Sequence, residues 1–167
     1  MTAHQLFQKM SPELGRQIVA WLRDAEKDVY KAALVSLTQQ RNLRPVFIQK
    51  KSRDQQAAWM LETLKLRTTE AIGENVLQVW LLKGRAEMLA SFLDGVGITH
   101  DGKGGVEGDL PATLDKEKVA AATAGLLSQH PAEEVAVYLH LFQLQQPGGW
   151  AEITGELEAN PKLALGS

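Results

Sequence analysis

Apolar residues recur every three or four positions along nearly all of this chain, and outside one glycine-rich segment no stretch of strand length alternates apolar with polar. A period of 3.6 lines side chains along one face of a helix, whereas a half-buried strand needs a period of two. Leu14, Ile18, Trp21, Leu22 and Ala25 make one such stripe, and Tyr30, Ala33, Leu34 and Leu37 make the next. Ala57, Leu61 and Leu64 continue it, then Ile72, Val76, Val79 and Trp80, then Met88, Leu89, Phe92 and Leu93. In the last third the pattern returns at Leu114, Val119, Ala122, Leu126 and Leu127, at Val135, Leu139 and Phe142, and at Trp150, Ile153 and Leu157.

Punctuation divides these stripes into separate helices. Ser11-Pro12-Glu13 is a helix start, with a capping hydroxyl, a proline at the first helical position and an acid in the first turn. Pro45 disfavours helix at Arg44, so the second helix is expected to end near Gln40–Asn42. A short helical piece follows from Pro45 to about Lys50. Ser52 with Gln55 forms a capping-box pattern, and Thr68 or Thr69 can cap the next helix. Gly84 breaks or kinks the run that follows. Thr113 with Asp115 and Glu117, and His130-Pro131, open two more, and Pro147-Gly148-Gly149 closes the last of these. The expected architecture is all-α: a helical bundle or two-layer helical array of about eight helices.

The segment from Gly95 to Pro111 holds six glycines in seventeen residues, so it reads as a long surface loop near 95–111, with room for a small hairpin turning at Asp101-Gly102. His100, Asp101, Glu107 and Asp109 supply donors there, but Lys103 and Gly105 stand where a calcium loop needs oxygen ligands. Gly104 follows Lys103 where a phosphate-binding P-loop needs Ser or Thr. A solvated connection is therefore expected, with no metal and no cofactor.

The 167 residues suffice for a single helical domain, 1–167, with a possible subdivision into a basic part, 1–94, and an acidic part, 112–160. Residues 1–69 carry twelve Lys and Arg against six Asp and Glu, and residues 70–167 carry six against fourteen, although the whole chain has net charge -2. That asymmetry points to attraction between the halves or to a binding role. There is no cysteine, which excludes disulfides and thiolate metal sites and suits a reducing compartment. No apolar run approaches the roughly 20 residues that span a bilayer, and the first residues lack a secretory pattern. A soluble, cytoplasmic protein with no membrane partner is the expectation.

His4, His100, His130 and His140 are unpaired at metal-ligand spacing, and GxSxG and Cys nucleophiles are missing, so no catalytic residue is assigned and an enzyme is disfavoured. The tryptophans Trp21, Trp59, Trp80 and Trp150 read as core, with Trp59 set somewhat off its stripe. The most distinctive stretch is RNLRPVFIQKKSR, whose cations Arg41, Arg44, Lys50, Lys51 and Arg53 stand without an acid around Val46-Phe47-Ile48. A DNA-reading helix would need polar residues where Pro45 to Ile48 lie, so these cations suit phosphate or carboxylate contact rather than base reading. A protein–protein interaction or scaffold module, binding itself or another protein, is the function expected first. Nucleic-acid or polyanion binding through 41–53 is the alternative, and an enzyme or small-ligand site assembled by the fold is a third.

Overall fold

The computed structural model describes residues 1–166, and among them there is helix but no strand. It contains ten α-helices, against the eight or so expected, and divides into two compact units, Met1–Trp80 and Leu81–Leu165. The division falls at the start of a π-helical turn, Trp80–Gly84, and the glycine-rich loop lies wholly inside the second unit.

The first unit opens with α1 (Ala3–Lys9), a helix beyond those expected, although Thr2 and Gln5 have capping-box spacing and the Thr2 N–H donates to Gln5 Oε1 at 3.0 Å. Then come α2 (Pro12–Ala25), α3 (Lys27–Gln40), α4 (Pro45–Gln49), α5 (Arg53–Leu64), a 3-10 turn at Arg67–Thr69, and α6 (Glu70–Val79). Ser11 caps α2 by accepting the Leu14 N–H at 3.1 Å, and Ser52 caps α5 by accepting the Gln55 N–H at 3.2 Å, as their spacing predicts. The central element is α3, which packs on α2, α4, α5 and α6. Leu22, Leu37, Met60, Leu64 and Leu77 are fully buried there.

The end of α3 sets up the surface described below. Asn42 takes a left-handed φ of 53°, and the Leu43 N–H reaches back to the Thr38 carbonyl at 2.8 Å. This is a Schellman ending with asparagine in place of glycine. Such endings commonly fold the following apolar residue back onto the helix. Gly97 ends α7 (Ala86–Val96) with the same bond, Ile98 N–H to Leu93 carbonyl at 2.9 Å, and there Ile98 is buried. Leu43 is not: 39% of it is exposed.

The second unit continues from α7 through the loop to α8 (Lys116–Gln129), α9 (Ala132–Gln143), α10 (Ala151–Ala159) and a final 3-10 turn at Pro161–Leu163. The start of α8 lies at Asp115, which accepts the N–H groups of Glu117 and Lys118, rather than at Thr113. Its core is aromatic: Phe92 meets Phe142 edge to face at 5.0 Å, and Phe142 stacks on Trp150 at 5.0 Å. Trp150 in turn donates its indole N–H to the Pro111 carbonyl at 2.8 Å, which ties down the loop's end. Gly104, at φ 88°, lies so close to Leu89 that any Cβ there would overlap it.

Candidate interaction site

On the first unit, one groove of about 870 Å³ runs along α3. Its floor comes from Tyr30 and Leu34, four positions apart on one face of the helix, with Val35 beside them. The last turn of α2 contributes Arg23 and Asp24, and the exposed edge of α3 contributes Lys27 and Lys31. The opposite wall is Gln49 from the end of α4, with Arg53 and Gln56 from the first turn of α5. Hydrogen bonds fasten this wall to the floor. The Tyr30 hydroxyl donates to Gln56 Oε1 at 3.1 Å, and Gln56 Nε2 donates to the carbonyls of Gln49 at 3.3 Å and Lys51 at 3.2 Å.

The groove is strongly one-signed. Four cations line it against the single carboxylate of Asp24, and that carboxylate is engaged by Arg23 Nε at 3.0 Å. The hydrogen bond holds Asp24 below its ordinary pKa and raises that of Arg23. Burial pushes the Tyr30 phenol up, so it stays a neutral hydroxyl at the groove's centre. Lys27, Lys31 and Arg53 take no salt bridge among the described residues.

Of the residues singled out in the sequence, only Arg53 lines this groove. Arg41 and Arg44 lie on the turn after α3, and Lys50 and Lys51 lie between α4 and α5, all exposed. Sequence reasoning missed Arg23, Lys27 and Lys31. The signal was present: Lys27 and Lys31 are four apart, and interleave with Tyr30 and Leu34 on one helical face. Ile48 is the inward residue of α4 at 2% exposure, so this five-residue helix has no polar reading face for a DNA groove.

The other candidates separate in space. His100 Nε2 pairs with Asp94 at 2.7 Å and lines a shallow hollow with Ile98 and Gly102. His130 borders a different hollow beside Arg85 and Glu134, which pair at 2.9 Å. Asp101 spends its carboxylate on its own loop, accepting the N–H groups of Lys103 at 2.8 Å and Gly105 at 2.9 Å, and these bonds lower its pKa. The hairpin considered at Asp101-Gly102 does not form: the Asp101 N–H donates to the Gly105 carbonyl at 2.9 Å in a turn without paired strands. Trp80 and Trp150 are buried as expected, while Trp21 and Trp59 are half-buried.

Comparison with protein-family models, with curated proteins and with solved structures found no match to this chain.

Proposed function

We propose that the chain is a protein-interaction module, and that its first unit receives an acidic, apolar-faced segment of a partner protein in the groove along α3. The observation that carries this reading is the pairing of an apolar floor with a rim of four cations and one already engaged carboxylate. A helix laid in such a groove buries its apolar stripe on Tyr30, Leu34 and Val35 and offers its carboxylates to Lys27, Lys31 and Arg53. Opposed charge of this kind speeds encounter and rejects cationic competitors. The cysteine-free chain suits a reducing compartment, and we place the module in the cytoplasm on that ground.

Polyanion binding through residues 41–53 is the weaker reading. Val46 and Phe47 stand 44% and 61% exposed among those cations, and a phosphate backbone has no use for them.

Affinity capture on immobilised protein, with mass-spectrometric identification, tests the groove. Wild type and the Lys27→Glu/Lys31→Glu variant are compared side by side. Partners retained by wild type and lost by the variant, with both proteins melting alike, are the expected result. Identical sets of captured proteins would overturn the assignment.

A further inference from the structure

A second surface lies beside the groove and is built differently. Among the described residues five large apolar side chains are exposed, and three of them, Leu43, Val46 and Phe47, fall within five positions. Leu43 stays 39% exposed although its N–H returns to the Thr38 carbonyl of α3, Pro45 starts α4 at once, and Ile48 occupies the inward position of that helix. With α4 packed on α3 through Ile48, Val46 and Phe47 have no inward site to take. Arg41, Arg44, Lys50 and Lys51 surround them, all exposed, with no acid from Arg41 to Arg53 and no salt bridge among the described residues.

We propose that this knuckle, Arg41 to Lys51, docks the protein on an anionic lipid surface. The chemistry of the patch has two halves, and such a surface satisfies both. Phe47, Val46 and Leu43 enter the boundary between headgroups and acyl chains, while the four cations stay at the level of the phosphates and carboxylates. Long basic side chains accommodate that boundary because their stems are apolar and their heads remain wet. A nucleic acid would use the charges and leave the apolar residues in water. No described helix is long and apolar enough to cross a membrane, so the contact is confined to the interface. The surface requires nothing of the groove, and neither proposal depends on the other.

Co-sedimentation of the purified protein with vesicles provides the test. One set is phosphatidylcholine alone, and the other contains roughly one-third phosphatidylserine, at moderate salt. Wild type is expected to pellet with the anionic vesicles and to stay in the supernatant with the neutral ones. Val46→Ser/Phe47→Ser is expected to lower partitioning by at least about tenfold. Lys50→Ala/Lys51→Ala is expected to lower it by about 25-fold, since each juxtamembrane cation contributes roughly fivefold. Both variants are expected to melt with wild type, because the replaced side chains are exposed. Wild type remaining soluble with anionic vesicles would overturn the proposal. So would a Val46→Ser/Phe47→Ser variant that pellets like wild type. In that case anisotropy with mixed-sequence DNA would show whether the cations alone serve a polyanion, and capture with the same variant would show whether an acidic protein uses them.

Discussion

Glu70 holds the start of the chain through His4: its carboxylate accepts the His4 backbone N–H at 2.9 Å and meets His4 Nδ1 at 2.6 Å. The Ala3 N–H adds a third contact at 2.7 Å. A residue from the first turn of α6 thus supplements the local Thr2–Gln5 capping box by taking the first two N–H groups of α1. Burial pushes the Glu70 pKa up, but the hydrogen bonds from His4 and Ala3 outweigh it and leave the group below its ordinary 4.5. A carboxylate with a lowered pKa in the folded state stabilises the protein above its unfolded pKa and loses that contribution as pH falls through its folded value.

Replacement of Glu70 by Ala is therefore expected to cost about 1–2 kcal/mol near pH 7, the range for losing a cap and its charged hydrogen bonds at a half-buried site. The penalty should shrink as pH falls from 4.5 through the group's lower folded-state value, because the wild-type carboxyl then takes up a proton and loses its charge. Urea unfolding of both proteins across that interval measures it. A gap that stays constant with pH would mean the carboxylate's charge plays no part in holding α1.

The same relationship marks the limit of what the sequence discloses. Ser11 and Ser52 could be read as helix starts because a cap acts within three residues of itself. The start of α1 carries a local signal as well, Thr2 with Gln5, but the carboxylate of Glu70 that completes it lies 66 positions from His4 and cannot be read locally. The groove behaves likewise. Arg53 stood out because its cationic neighbours are adjacent in sequence, whereas Arg23, Lys27 and Lys31 join it only because α2 and α3 pack on α5. Gly84 was legible as an interruption, yet the local sequence does not specify its π-helical form.

Tyr138 offers a test of the second unit's core. Its hydroxyl is buried with no hydrogen-bond partner among the described residues, while its ring meets Phe92 edge to face at 5.5 Å. An unpaired buried hydroxyl costs about 1–3 kcal/mol, and phenylalanine keeps the ring contacts without that cost. Tyr138→Phe is expected to raise the thermal midpoint by about 2–4 °C, the equivalent of roughly 1 kcal/mol in a chain of this size. A lowered midpoint would show that the hydroxyl is bonded in solution.

Two glycines inside helices, one of them expected in the loop, make opposite predictions because different neighbours pack against them. Gly95 lies in α7, and a Cβ there would stand 2.7 Å from the Cβ of Ala122 on α8. Neither atom can rotate away, so Gly95→Ala must push the two helices apart. Overpacking of that kind costs about 1–3 kcal/mol, more than the roughly 1 kcal/mol that alanine returns in helix propensity. Gly125 lies in α8, and a Cβ there meets nothing within 4 Å. Gly125→Ala therefore collects the propensity gain of about 1 kcal/mol with no opposing contact. Denaturant midpoints of the two single variants read the sign directly, since neither change should alter the surface exposed on unfolding. If Gly95→Ala stabilised the protein as much as Gly125→Ala, then α7 and α8 would not approach as closely as their small residues allow. If Gly125→Ala destabilised it, the open face of α8 would have to be covered.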